Sequence, residues 1–150
     1  MRIYSIYDRL EFLKEVCELT AKEWSSYHNK LEFQKKVEKK IKKILDNKDN
    51  PRYAKLILLD DNNLVGFISL FETDGDERTD LTPWYATMYV KSKYRGKGYS
   101  KILDEAIKKE ARNRGFKRLY LKSNLVNYYE KFGAKYIEDL KEEKLYYIDL

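Results

Sequence analysis

The chain has 150 residues, enough for one domain that buries about 70% of the surface its unfolded form exposes and too few for two ordinary ones, so a single domain over residues 1–150 is expected. Its 31 basic residues against 25 acidic ones leave a net charge of +6, a modest surplus that favours anionic partners without choosing among nucleic acid, membrane surface and phosphorylated cofactor. No apolar run approaches about 18 residues, the amino terminus Met1-Arg2-Ile3-Tyr4 lacks the apolar core of a signal peptide, and the single cysteine, Cys17, has no partner for an internal disulfide; these exclude a membrane-spanning helix and point to the cytoplasm.

In chain order, Arg2 to Ile6 reads as a strand. Asp8 followed three residues later by Glu11 has the spacing of a capping box and predicts a helix through about Trp24, burying Leu13, Cys17 and Trp24. A lysine-rich helix from about Leu31 to Leu45 follows. Val37, Ile41, Ile44 and Leu45 recur after Phe33 at helical spacing, which puts the lysines of Lys35 to Lys43 on the outer face, and Pro51 forbids continuation. Lys55 to Leu59 and Leu64 to Phe71 are β-rich and joined by Asp60-Asp61-Asn62-Asn63, whose short polar side chains suit a tight antiparallel hairpin.

After a polar loop from Glu72 to Pro83 comes an apolar strand, Trp84 to Val90, then a glycine-rich turn, then a helix burying Leu103, Ala106, Ile107 and Ala111 with Gly115 as its left-handed cap. Lys117 to Lys122 read as a strand, Leu125 to Phe132 as a short helix, and the remainder as a terminal hairpin turning near Lys141-Glu142-Glu143. The order βααβββαβαββ describes an α/β (α+β) chain with about seven strands and four helices. No internal repeat or interdomain linker interrupts it.

The turn Tyr94-Arg95-Gly96-Lys97-Gly98-Tyr99-Ser100 is the most informative stretch. A glycine-rich turn opening a helix aims several backbone N–H groups at one spot and adds the positive end of the helix dipole, which suits phosphate. A nucleoside-triphosphate loop needs four residues between its glycines, and here Lys97 alone separates Gly96 from Gly98. A dinucleotide fingerprint needs a third glycine where Lys101 stands and an acidic residue about twenty positions on, where Phe116 to Tyr120 offer none.

What remains resembles the GCN5-related N-acetyltransferases, whose cofactor motif, Arg/Gln-x-x-Gly-x-Gly/Ala, reads here Arg95-Gly96-Lys97-Gly98-Tyr99-Ser100. The element order matches that fold over essentially the whole chain, Met88-Tyr89-Val90 stand on the strand where the family holds acetyl-CoA, and Tyr128-Tyr129-Glu130-Lys131-Phe132-Gly133 resembles its Phe-Tyr-Glu-Lys-x-Gly signature. Ser100 replaces the usual Gly or Ala. Lys122 and Leu125 stand where the family often has Asn and Ala, which leaves Asn124 as the substitute for the amide contact to pantetheine.

The resemblance implies a mixed central sheet and direct acetyl transfer from acetyl-CoA to a primary amine of a small molecule or peptide, with no metal, in a monomer or homodimer that binds neither nucleic acid nor membrane. The amides from Arg95 to Ser100 would surround the pyrophosphate, with charge from Arg95 and Lys97. An N–H of Met88 or Val90 would polarise the acetyl carbonyl if a bulge or splay leaves it unpaired. Tyr129 matches the signature tyrosine that acts as general acid toward the thiolate. The base stays open among Glu72, Asp74, Asp80, Tyr85 and water. His28, the sole histidine, falls near the junction of the first two helices, where this fold shapes its acceptor pocket. Two other classes remain: an acyl-CoA-binding regulatory module without turnover, and a nucleic-acid-binding domain using the basic surplus and 14 tyrosines for stacking.

Overall fold

The computed structural model describes residues 1–150. Seven strands, β1 (Arg2–Ser5), β2 (Ala54–Asp60), β3 (Asn63–Phe71), β4 (Trp84–Val90), β5 (Arg118–Ser123), β6 (Lys135–Asp139) and β7 (Lys144–Asp149), form one sheet in the order β1-β2-β3-β4-β5-β7-β6. Neighbours run antiparallel except β4 and β5, which are parallel. Three α-helices, α1 (Leu13–Trp24), α2 (Lys30–Asp46) and α3 (Tyr99–Asn113), complete the expected chain order. None is long and apolar enough to cross a membrane.

Both faces of the central strands are covered, which is why β2 and β3 read as near-continuous apolar runs. On one face Leu56, Leu58, Ile68 and Leu70 pack with Leu103, Ile107 and Ala111 of α3. On the other, Ile57, Leu59, Leu64 and Phe67 pack with Val16 and Cys17 of α1 and with Val37 and Ile44 of α2. At about 25 cal/mol per Å² of apolar area, burial in these two layers holds the sheet against its helices. The Asp60–Asn63 connection is the expected hairpin, with Asp61 at φ 53°.

Four local expectations are corrected. Asp8 does not cap a helix: Ser5 Oγ accepts from Tyr7 N, two short 3-10 turns at Ile6–Asp8 and Leu10–Phe12 follow, and Glu11 pairs instead with Arg9 at 3.3 Å. Arg9, at φ −140° and ψ 59° between those turns, lies outside helical geometry and prevents one continuous helix. Trp24, the last residue of α1, is not core but 49% exposed, because it borders an open cavity instead of closed packing; its ring meets Tyr89 edge-on at 6.3 Å. Leu45 is likewise exposed, one step off the buried stripe of Val37 and Ile44. The fourth helix shrinks to one 3-10 turn, Tyr129–Phe132, since Asn127 at φ 55° breaks helical geometry before it and Gly133 at φ 92° closes it.

Candidate active site

The site begins with irregular strand pairing. Ser69 pairs with Ala86 and Phe67 with Tyr89, so Thr87 and Met88 stand together opposite Ile68 as a β-bulge. Thr87 takes φ 49°, and its hydroxyl lies 2.6 Å from that of Ser69. On the other edge, β4 pairs with β5 only at Trp84 and Tyr120, and beyond that point the strands part. Lys91 N donates to Val65 O at 2.9 Å, so by alternation Val90 turns its peptide edge away from β3 and toward the gap. Val90 O there accepts from Arg95 Nε at 2.8 Å rather than from a strand. The bulge and the splay that the acetyl-holding role requires are both present.

The glycine turn follows directly. Gly96 at φ 76° and Gly98 at φ 82° take left-handed backbone, and Gly98 caps α3 without any side-chain bond. The amides of Gly96, Lys97 and Gly98 find no backbone acceptor in the chain. Those of Tyr99 and Ser100 open α3 and have no intrahelical partner by construction. A Cβ at either glycine would meet nothing within 4 Å, so glycine serves the backbone conformation there and keeps the amide face uncovered. Consecutive free N–H groups at a helix N-terminus fit the pyrophosphate of coenzyme A.

Two cavities meet at this edge. One, about 450 Å³, is lined by Met88, Tyr89, Val90, Arg95, Gly96, Gly98, Tyr99, Ser100 and Tyr129. The other, about 540 Å³, lies between α1, α2 and the sheet. Both reach Glu23, Met88, Leu125 and Tyr129, which form the seam. Lys97 lines neither cavity, and Asn124 is exposed and is not brought to either. Tyr89 divides its surface: it reaches the first cavity and stacks on Phe67 at 5.3 Å.

Tyr129 rides on the 3-10 turn, its ring edge-on to Tyr85 at 5.9 Å and to Tyr128 at 4.8 Å. Burial, with Tyr128 beside it, pushes its phenol up to about 12, which keeps the proton on the oxygen. Of the four groups considered for a base, Glu72 is exposed, accepts from Asn50 at 3.0 Å and lines neither cavity. Asp80 is also outside both, held below the usual carboxylate range by hydrogen bonds from Arg78 at 3.0 Å. Tyr85 lines the larger cavity, but it donates to Asp104 at 2.8 Å, and burial and that carboxylate push its phenol far up. Asp74 also lines the larger cavity, its carboxyl raised by burial and partly restored by Lys122.

Several lining residues are not foreseen by sequence reasoning. Lys55, Cys17, Lys122 and Glu143 reach the larger cavity, as do Lys40 and Lys43, whose helix overhangs it instead of turning all its lysines outward. The period of α2 locates its apolar stripe but says nothing about a hollow beside that stripe. His28 is exposed and lines neither cavity; its backbone N–H donates to Glu32 Oε2 at 2.9 Å. Tyr53, Tyr85 and Tyr146 are buried in packing and offer no stacking surface for bases.

Comparison with known proteins agrees with this geometry. A family model described as the acetyltransferase (GNAT) family matches residues 13–134. Nothing among curated proteins matches the chain. Among solved structures, a PaiA N-acetyltransferase from Thermoplasma acidophilum in complex with coenzyme A is 21% identical with a TM-score of 0.68, the match covering 100% of both chains. An aminoglycoside 6'-acetyltransferase type Ii is 20% identical, with a TM-score of 0.73 over 99% of this chain and 97% of its own. A spermidine N-acetyltransferase SpeG chimera from Vibrio cholerae and hSSAT is 18% identical, with a TM-score of 0.72 over 99% of this chain and 96% of its own.

Proposed function

The chain belongs to the GNAT acetyltransferase family, and from that premise we propose that it transfers the acetyl group directly to a primary amine of a small molecule or peptide. It is an N-acetyltransferase, and acetyl-CoA is its acetyl donor. When bound, acetyl-CoA supplies a thioester whose carbonyl carbon is open to attack and whose thiolate departs.

The chain's own groups divide the remaining work. The free amides from Gly96 to Ser100 bind the diphosphate, aided by the positive end of the α3 dipole. An amide on the parted edge of β4, at Met88 or Val90, donates to the carbonyl oxygen as negative charge grows there; such a preorganised donor contributes roughly 3–4 kcal/mol in other enzymes. Tyr129 holds a proton on its phenol oxygen and delivers it to the departing sulfur. A lysine-type ammonium with a pKa near about 10.4 must lose its proton before it attacks. Asp74 takes that proton, directly or through water, because Tyr85 keeps its own for Asp104.

The observation that carries this reading is the meeting of the two cavities at Met88 and Tyr129. One side suits a diphosphate-bearing thioester, the other an amine, and only at the seam do they come within reach. The same reading takes residues 1–150 as one catalytic unit, acting in the cytoplasm as a monomer or homodimer. Calorimetry with acetyl-CoA, followed by thiol release with a panel of amines, tests it. Saturable binding and amine-dependent release are expected; absence of acetyl-CoA binding overturns the reading, and binding without release across the panel marks a regulatory module instead.

A further inference from the structure

The larger cavity is lined by charges that no ion pair within the chain engages. Lys40, Lys43 and Lys55 line one end, around Cys17; Asp74, Glu143 and Lys122 line another. None of them forms an ion pair, and all ion pairs of the chain lie elsewhere. Lining charges left free in this way are complementary to a ligand that carries both signs.

Lys55 is the strongest element. It is 3% exposed, its ammonium lies 5.2 Å from the Phe67 ring centre and 5.8 Å from that of Phe71, and its charged neighbours Lys40 and Lys43 repel it. A buried cation without a counter-charge is costly, and burial accordingly pushes Lys55 down to about 8. An anionic group on a ligand is the missing partner. The acidic end lies toward the chemistry, since Glu143 is among the charges felt by Tyr129. Lys55 pairs across the sheet with Ser69, and Ser69 with Ala86, which puts the Lys55 backbone two strand spacings, about 10 Å, from Ala86, the residue before the bulge at Thr87–Met88.

Resting on the acetyltransferase reading above, we propose that the acceptor is a zwitterionic amine, its amino group held by Asp74 and Glu143 beside Tyr129 and its anion, a carboxylate or phosphate, held by Lys55 several ångströms away. A polycation has no place in the Lys40, Lys43 and Lys55 end. That separates this acceptor from spermidine, the substrate in the name of one structural neighbour.

The test compares thiol release for glycyl-leucine against glycyl-leucinamide, and for O-phosphoethanolamine against ethanolamine, with spermidine as the polycation. At least one anionic amine should exceed its neutral counterpart by about tenfold in kcat/KM, the pair that does so identifying the anion. Lys55→Met should bring that ratio within about twofold of unity while acetyl-CoA affinity, read by calorimetry, stays within about twofold of wild type. Equal rates within both pairs, a preference for spermidine, a ratio that survives Lys55→Met, or no release from any of these amines overturns the proposal while acetyl-CoA binding keeps the cofactor assignment standing. Wild-type protein that fails to bind acetyl-CoA overturns both.

Discussion

The hydroxyl of Tyr85 donates to the carboxylate of Asp104 at 2.8 Å, with both residues buried, so β4 and α3 are tied together behind the catalytic edge. The same carboxylate pairs with Lys108 at 2.9 Å, and that ammonium donates to Phe132 O at 2.5 Å, on the turn that carries Tyr129. Asp104→Ala strands a phenol and a largely buried ammonium together, and a loss of about 3 kcal/mol is expected in urea unfolding. Tyr85→Phe leaves the Asp104–Lys108 pair intact and should cost about 1 kcal/mol. Equal losses from the two variants would show that the ammonium does not depend on Asp104.

Tyr129→Phe keeps the ring and its edge contacts with Tyr85 and Tyr128 while deleting the hydroxyl proposed as the acid. A drop in kcat of about 100-fold or more is expected, with acetyl-CoA affinity and unfolding midpoint little changed. Because the phenol is pushed up to about 12 and works protonated, it should impose no alkaline loss of activity below about pH 10. A kcat within about threefold of wild type would remove Tyr129 from the proton path.

Asp74 should set the acid limb of the pH–rate profile. As the proposed base it must be ionised, and burial raises its pKa, so kcat/KM should fall as pH drops through a value above the ordinary carboxylate range. Asp74→Asn should lower kcat/KM by about tenfold to 100-fold and flatten that limb. A variant that keeps both the rate and the limb would assign the proton to water or to Glu143.

Gly98→Ala forces an alanine to φ 82°, which costs about 1–2 kcal/mol of stability, and sets a methyl group beside the free amides. Acetyl-CoA affinity should fall by about tenfold or more. Gly115→Ala is the control: at φ 89° it carries the same backbone strain at the far end of α3, so it should lose comparable stability with affinity unchanged. Parallel losses of affinity in both variants would mean that strain in α3, rather than the cradle, governs binding.

The elements that frame the smaller cavity were legible because they are local in sequence. Strand β4, the glycine turn and the apolar stripe of α3 occupy one stretch, and each element carries its own signal in period, turn residues or cap. The larger cavity, which we propose as the acceptor side, was not, because its charged lining comes from Lys40, Lys55, Asp74 and Glu143, which lie on four separate segments. By alternation Lys55 shares its side of β2 with Ile57 and Leu59, but a lysine at the start of a strand carries no signal of its own that it will be buried; the two helices packed over that face bury it. The fourth helix failed for a related reason, since a positive φ at Asn127 depends on how the chain leaves β5 and has no period to betray it.

The same Lys55 makes a prediction about stability whose sign depends on pH. Its pKa is about 8 in the folded protein against 10.5 unperturbed, so between these values the unfolded chain holds more protons and wild-type stability rises with pH. Below about 8 both states are protonated, and the full cost of burying the cation is present. Lys55→Met keeps an unbranched apolar stem against Phe67 and Phe71 and removes that cost, on the order of 3 kcal/mol at pH 7. Cys17, its thiol pushed up by burial, and Lys40, its ammonium pushed down by burial, face the same spot in both proteins beside the charge of Lys43, so these neighbours cancel to first order in the difference. Denaturant unfolding at pH 7 and pH 10 should therefore find the variant more stable at pH 7, with a smaller gain at pH 10. A variant less stable at both values would make Lys55 a structural residue of the sheet, and its place at the cavity would then say nothing about an acceptor anion.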